Sequence, residues 1–337
     1  MTGAMRHRTT LTTSRRQWLL GAAGTAATSV APSAGRAQAT WPNRPIRLVI
    51  PFAPGGPFDL LGRVLASGMR RHLPQPVVVE NRPGAGGNIA ADLVARSEPD
   101  GYTLLLGASS LVQNAAVFQR LPYDPLKDFT PISEVAYYSL VVIAGPKLNV
   151  TSVQDVIAAA RARPGEITYS SAGIGTPTHL AGELFAQQAG LQMTHVPYSG
   201  AAPGQTALLA GQIDLIFQNP TQALPAVRAG QVRAIAVTAL ERTAELQDVP
   251  TVAESGFPGF EVGTWAAVFG PAGLPEARGR VIRDALHQTV AVPEVAAAIG
   301  ELGMTVRTSD TAQLAERMKE DLRKWTEVVQ RAGIRAQ

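Results

Sequence analysis

The sequence contains no cysteine in 337 residues. That excludes a disulfide framework, a thiol nucleophile and a cysteine-ligated zinc site, and it fits any redox compartment. Histidine is scarce: His7, His72, His179, His195 and His287 are all there are, and none stands in an H-E-x-x-H pattern. Neither a metal cluster nor a bound cofactor is therefore expected. The glycine loops lack both the Lys-Ser/Thr ending of a P-loop and the G-x-G-x-x-G spacing of a dinucleotide fold. No stretch beyond the N-terminal segment reaches the roughly 18 consecutive apolar residues of a membrane helix. Acid is missing from the first 39 residues, which hold Arg6, Arg8, Arg15, Arg16 and Arg36. Without those five of its 30 basic residues the chain has 25 against 26 acidic ones, so the net charge of +4 belongs to the N-terminal segment. The clustered surplus of positive charge that nucleic acid requires is absent from the remainder, and no nucleic-acid partner is expected.

What the N-terminal segment does contain is an address. Ser14-Arg15-Arg16-Gln17-Trp18-Leu19-Leu20 sets an arginine pair before a weakly apolar, Ala/Gly-rich stretch, and Ala37-Gln38-Ala39 offers a small-x-small cleavage site. The expectation is a twin-arginine export signal over residues 1–39, cut after Ala39, with the mature chain in the periplasm. A spanning helix is the weaker reading, since Trp18 to Ala31 is short and rich in Gly, Thr and Ser.

Short β-branched runs then alternate with helical patterns. Ile46 to Ile50 is followed by a Pro/Gly loop and apolar positions at Leu60, Leu61, Val64 and Leu65. The alternation returns at Val77 to Val79 with a helix from about Asn88, at Thr103 to Leu106, and at Leu140 to Ile143 with a helix opened by Ser152 and Asp155. It continues at Ile167 to Ser170, Thr194 to Val196, Ile213 to Phe217 and Ala234 to Val237, with helices ending near Gly190, Gly211 and Gly230. This predicts an α/β protein of parallel sheets covered by helices, arranged as two doubly wound domains joined by a hinge. The expected division is 40–139 plus 263–337 for one domain and 140–262 for the other.

Two glycine loops follow strands and open helices, where backbone N–H groups and the positive helix end face a ligand. In the first, Pro51-Phe52-Ala53-Pro54-Gly55-Gly56-Pro57-Phe58-Asp59, the glycines allow close approach and Asp59 either caps the helix or touches the ligand. In the second, Ser170-Ser171-Ala172-Gly173-Ile174-Gly175-Thr176-Pro177-Thr178-His179, Thr176 is the expected N-cap and Pro177 the first helical residue. Hydroxyls and free N–H groups there suit a carboxylate, each helix end contributing roughly 0.3 to 2 kcal/mol and each hydrogen bond to charged oxygen about 1.5 to 3. Either loop alone reads more readily as a turn than as a site; one in each domain points to a cleft. The third loop, Asn81 to Asn88, reads as a Gly-rich turn with Asn88 as a helix cap.

A catalytic alternative is thin. No G-x-S-x-G elbow surrounds Ser170 or Ser171, and Asp214 at a strand start reads as structural. The one enzyme reading the inventory leaves is a serine hydrolase acting through Ser171 and His179, and the expectation is that the chain is not an enzyme.

Pro51-Phe52-Ala53-Pro54-Gly55-Gly56, Val78-Val79-Glu80-Asn81-Arg82-Pro83-Gly84-Ala85-Gly86-Gly87, Pro99-Asp100-Gly101-Tyr102-Thr103-Leu104, Val196-Pro197-Tyr198 and Pro250-Thr251-Val252-Ala253-Glu254-Ser255-Gly256 occur in that order. Together they resemble the Bug family, the substrate-binding proteins associated with tripartite tricarboxylate transporters. The resemblance implies a type II periplasmic-binding-protein fold and a cleft that holds small carboxylates or related acids and amides. Its binding loops match Phe52, Ala53, Gly55, Gly56, Phe58 and Asp59 in the first domain and Ser170, Ser171, Ala172, Gly173, Thr176 and His179 in the second. Tyr198 lies in a third matching stretch and either packs or contacts the ligand. Partners implied are the transporter's membrane subunits or, alternatively, a membrane sensor that reads the ligand-bound form; a monomer is expected. Phe58 departs from the small polar residue many relatives carry and makes the pocket smaller or more apolar, which argues against a citrate-sized ligand. Ser199 and Ala207 stand where relatives often carry lysine and aspartate, read here as a lost surface pair.

Overall fold

The computed structural model describes residues 41–198 and 200–334. The expected export signal, its expected cleavage site and Ser199 lie outside the described residues. Eleven strands and ten α-helices follow in chain order among those described. The first group is β1 Ile46–Ile50, α1 Pro57–Met69, β2 Val77–Asn81, α2 Asn88–Ala95, β3 Thr103–Ala108, α3 Ser110–Val117 and β4 Phe129–Ser139. The second is β5 Val141–Ala144, α4 Val153–Ala162, β6 Thr168–Ser171, α5 Pro177–Ala189, β7 Thr194–Pro197, α6 Ala201–Leu209, β8 Leu215–Gln218, α7 Pro220–Arg228 and β9 Arg233–Val237. The chain then returns through β10 Gly263–Pro271, α8 Glu276–Val290, α9 Pro293–Glu301, β11 Thr305–Val306 and α10 Thr311–Ala332.

The strands form a six-stranded sheet, β11-β4-β10-β3-β1-β2, and a five-stranded sheet, β7-β6-β8-β5-β9. All six residues of β3 are buried, as expected of an apolar run covered on both faces. The spacing of Leu61, Leu65 and Met69 turns one stripe of α1 inward, and the Ser152–Asp155 capping box opens α4 as its sequence predicts.

The expectation of parallel sheets needs correction. β1 pairs in parallel with β2 and β3, but β10 runs antiparallel to both β3 and β4, and β5 antiparallel to both β8 and β9. The cause is topological. β4 runs out of the first sheet and, after Leu140 alone, becomes β5 of the second, while the return segment through Val262 enters the first sheet as β10. A chain entering a lobe from its neighbour runs against the local strands. Thr238, fully buried, ties the two crossings together: its Oγ1 accepts from Leu140 N at 2.8 Å and lies within donating distance of the Val262 carbonyl oxygen.

At 22 residues α10 is about 33 Å long and reaches both lobes. Leu314 and Met318 join the core cluster that contains Trp265 and Phe269 of β10, whereas Trp325, Val328 and Val329 join the one that contains Tyr169 and Phe217 of the second sheet. No described helix is long and apolar enough to cross a membrane.

Candidate functional site

The first loop is held by its aspartate. Asp59 is 2% exposed, and its Oδ2 accepts from Gly55 N at 2.9 Å and from Arg63 Nε at 3.0 Å, one turn along α1. Gly56 is the N-cap, with no side-chain cap bond, so Asp59 folds the loop over the helix end rather than capping the first turn. The Arg63 hydrogen bond, with help from Gly55 N–H, holds the Asp59 carboxyl below the usual carboxylate range against the opposing effect of burial. A carboxyl with a lowered folded pKa contributes stability fully above its unfolded value, and that contribution is lost as pH falls through the folded value. Asp59→Asn is thus expected to unfold about 2 kcal/mol more easily at pH 7, with its deficit against the wild type shrinking below about pH 4. Urea melts at pH 7 and pH 3 check this, and a deficit independent of pH would show that the charge is immaterial. Phe58 packs on Phe52 at 4.9 Å between ring centroids and sits 6% exposed in the core beside β1, so its bulk is taken up by the lobe rather than by a cavity. Phe52 and Gly56 are half-buried, and Ala53 and Gly55 are exposed.

The second loop satisfies itself, contrary to the expectation of free N–H groups. Ala172 N donates to Thr178 Oγ1 at 3.0 Å, Gly173 N to Ser171 Oγ at 3.1 Å, and Gly175 N to His179 Nδ1 at 3.0 Å. Thr176 is the N-cap and Pro177 the first helical residue as predicted, but the Thr176 hydroxyl donates to Gly173 O at 2.7 Å instead of capping. What stays open is the first turn of α5. Ser170 points away, under α6, where a Cβ on Gly204 would lie 3.0 Å from its Oγ. Tyr198 is half-buried against the core cluster of Ile216 and Leu208, and its N–H donates to Ser171 O at 3.1 Å. His179 is 4% exposed. The imidazole facing Ser171 Oγ is that of His195, with Nε2 at 2.7 Å, which corrects the Ser171–His179 pairing of the hydrolase alternative. Ser171 itself is 1% exposed.

The remaining sequence assignments fall in structural roles. Asn88 is the first residue of α2 rather than its cap, and its Oδ1 accepts from Asn114 Nδ2 at 2.7 Å and Tyr123 OH at 2.8 Å, which fixes the third loop. Asp214 Oδ2 accepts from Thr168 N and Oγ1, both at 2.9 Å, tying β6 to the start of β8. Ala207 is 3% exposed, so an acid at that position would be buried and not half of a surface pair.

The lobes enclose a cleft of about 300 Å³ lined by Pro57 at the start of α1, Thr176 to Thr178 at that of α5, Ala201 at that of α6, and Asn219, Thr221 and Gln222 at that of α7, with Ala172 and the hinge residues Tyr138 and Leu140. Four helix N-termini thus face one space. At three of them, α1, α5 and α6, no side chain caps the first turn; Asn219 accepts from Thr221 N at 2.9 Å in the fourth. Orphan first-turn amides and the positive helix ends make this a place for negative charge. Sequence reasoning missed Tyr138, Asn219 and Thr221. Asn219-Pro220 is a helix-start signal equivalent to Thr176-Pro177 and could have been found by it. A larger cavity of about 430 Å³ lies beside β11, but its arginines are already engaged, Arg307 with Glu134 and Glu261 and Arg242 with Glu254.

Comparison with known proteins decides the family. The model of the tripartite tricarboxylate transporter family receptor matches residues 61–334. The chain belongs to this family. The periplasmic binding protein BugD is similar at 33% identity and a TM-score of 0.72, over 88% of this chain and 100% of its own. Rpa4515 of R. palustris, solved with adipate, is similar at 34% and 0.75, over 88% and 100%. MatC of Rhodopseudomonas palustris, solved with malate, is similar at 32% and 0.71, over 86% and 99%. Members of this receptor family are solute-binding proteins, and the two curled α/β sheets with their double crossing are the two-domain clamp of that fold, as the sequence predicts. The first loop and the second both stand at strand ends beside the cleft, and the residues of theirs that reach it are Pro57 from the first and Ala172, Thr176, Pro177 and Thr178 from the second.

Proposed function

We propose that this receptor is an exported, non-enzymatic protein that captures a small dicarboxylate between its lobes in the periplasm and delivers it, as a monomer, to the membrane subunits of a tripartite transporter. The observation that carries the reading is the convergence of helix N-termini, three of them free of side-chain caps, on one 300 Å³ cleft. One carboxylate lies at α5 and α6 and the other at α1, so that the ligand bridges 140–262 and 40–139 plus 263–337, the two bodies that close on it. Its contacts come from the first turn of α1 at Pro57 and from Ala172, Thr176 and Thr178, while Phe58, Asp59, Ser171 and His179 hold the loops in place. That neighbours at 32 and 34% identity were solved with malate and adipate supports a four- to six-carbon diacid. Export by the Arg15-Arg16 signal with cleavage after Ala39 completes the reading.

Closure follows from differential affinity: a ligand held by both lobes binds the closed arrangement better and shifts the population toward it. A thermal-shift screen of malate, succinate, glutarate, adipate and their monoacid and amide analogues, confirmed by calorimetry, tests this. At a hundred times its dissociation constant a diacid adds about 2.7 kcal/mol of stability, binds one to one and is not consumed. A folded sample that binds no diacid, or that turns one over, would overturn the proposal.

A further inference from the structure

Beneath the second loop lies an imidazole pair of which the capture reading uses His179 alone, as a support. The His179 and His195 rings stack 3.7 Å apart between centroids at 15°. His179 Nδ1 accepts the Gly175 N–H at 3.0 Å, and its Nε2 faces Glu183 Oε1 at 3.7 Å. His195 Nε2 meets Ser171 Oγ at 2.7 Å, and that hydroxyl in turn receives Gly173 N–H. Through these contacts the two rings fix both glycine amides of the loop. The groups acting on them come from three elements: Tyr169 on β6, Glu183 with His179 on α5, and His195 on β7. Tyr169 OH donates to Glu183 Oε1 at 2.5 Å, and Tyr169 lies 5.0 Å from the His195 ring.

We infer that His179 and His195 are positioning residues whose neutral, stacked state holds the ligand loop in its binding shape, so that acid loosens the loop and releases the ligand. The inference rests on the capture reading.

The electrostatics follow the geometry. Burial, and then the neighbouring His179, push His195 down to about 4, while Glu183 opposes them. A histidine whose folded pKa is lowered favours the packed loop above its unfolded value and loses that contribution as pH falls toward the folded value, here between about 6.5 and 4. Burial works to raise the Glu183 carboxyl, but bonds from His179 and Tyr169 hold it below the usual range, so it stays charged beside the pair. His179 Nδ1 accepts the Gly175 N–H only as a bare nitrogen, and a charge on His195 lies against the face of that ring at 3.7 Å. This trend opposes the simple one, in which a protonated histidine near the cleft would tighten an anion.

Calorimetric titration of adipate and malate into the full protein between pH 8.0 and 5.0 reads the effect, with His179→Asn and His195→Gln as non-titrating replacements that retain an acceptor or donor near the original nitrogen. Protonation of the ligand is common to all proteins and cancels in the ratio of variant to wild-type affinity. The wild type is expected to lose roughly tenfold more affinity over this range than either variant, corresponding to about one pK unit of linkage. The Gly175 amide resonance, recorded without ligand, is expected to move with pH in the wild type and to stay fixed in His179→Asn. Equal pH slopes in wild type and both variants, or a Gly175 resonance indifferent to pH, would overturn the inference while capture stands. Absence of any diacid binding at pH 8.0 would remove the capture reading, and the inference with it.

Discussion

Trp265→Ala is expected to bring the protein close to unfolding under native conditions, with a loss of about 5 kcal/mol against total stabilities of roughly 5 to 15 for single proteins of ordinary size. Trp265 is fully buried near the start of β10, the returning strand, and packs on Phe269 at 5.9 Å between centroids. Truncating a buried aromatic costs about 3 to 5 kcal/mol in transfer and cavity terms. Its Nε1 also donates to Asp321 Oδ2 at 2.7 Å, which binds the strand to α10. Burial pushes the Asp321 carboxyl up, and the Trp265 donor is the main group opposing that effect. Losing the donor leaves a buried carboxyl without a partner, worth a further 1 to 3 kcal/mol before relaxation. Trp265→Phe separates the two contributions, keeping most of the volume and losing the bond, and is expected to cost about 2 kcal/mol. Urea denaturation of all three proteins at pH 7 checks this. A deficit below about 1 kcal/mol in Trp265→Ala would mean that α10 does not depend on this anchor.

The anchor also shows what the sequence alone conveys and where it stops. The strands and helices were legible because each carries a local signature: the apolar run of β1, the capping box of Ser152 and Asp155, Pro177 at the start of α5, and Gly190 in the left-handed conformation at its end. Strand direction was not, because the antiparallel entry of β5 and β10 follows from which lobe the chain comes from, a non-local fact that no window reveals. The Asp321 partner lies 56 residues from Trp265, and the His195 partner of Ser171 lies 24 residues away on the next strand. The loops were legible as strand-to-helix turns rich in donors. That their donors are consumed internally was not, since whether Gly175 N–H meets a ligand or His179 depends on a side-chain orientation set by the Tyr169 and His195 rings packed against it. A glycine shows the same limit from the other side: nothing in the local sequence says that Gly182 must be small, yet a Cβ there would lie 2.2 Å from the Tyr169 ring.

Gly175→Ala is expected to weaken diacid binding by about 50-fold and to lower unfolding stability by about 2 to 5 kcal/mol. Gly175 has φ +77°, and a Cβ on it would lie 2.6 Å from Val117 Cγ1. The strained backbone costs about 1 to 2 kcal/mol wherever the lobes are. The collision adds to it, because Val117, at the end of α3, is buried in the core cluster that holds Tyr169 and Phe217 of the second sheet and has no room to step aside. Its cost of about 1 to 3 kcal/mol falls on the shape of the loop that opens α5, which the proposed ligand needs. A ligand must then spend affinity on restoring that shape, and the apparent dissociation constant rises by the binding-competent population lost. Gly165→Ala isolates the strain: φ is +80° there and nothing lies within 4 Å of the added methyl, so stability falls and affinity holds. Val117→Ala in the Gly175→Ala background removes the collision alone and is expected to restore roughly tenfold of the lost affinity, a coupling of about 1.4 kcal/mol between the end of α3 and the loop before α5. Calorimetry with adipate on the four variants and urea melts on the same samples measure both halves. If Gly175→Ala binds as tightly as wild type, or Val117→Ala restores nothing, then the contact of α3 with this loop plays no part in shaping the ligand site.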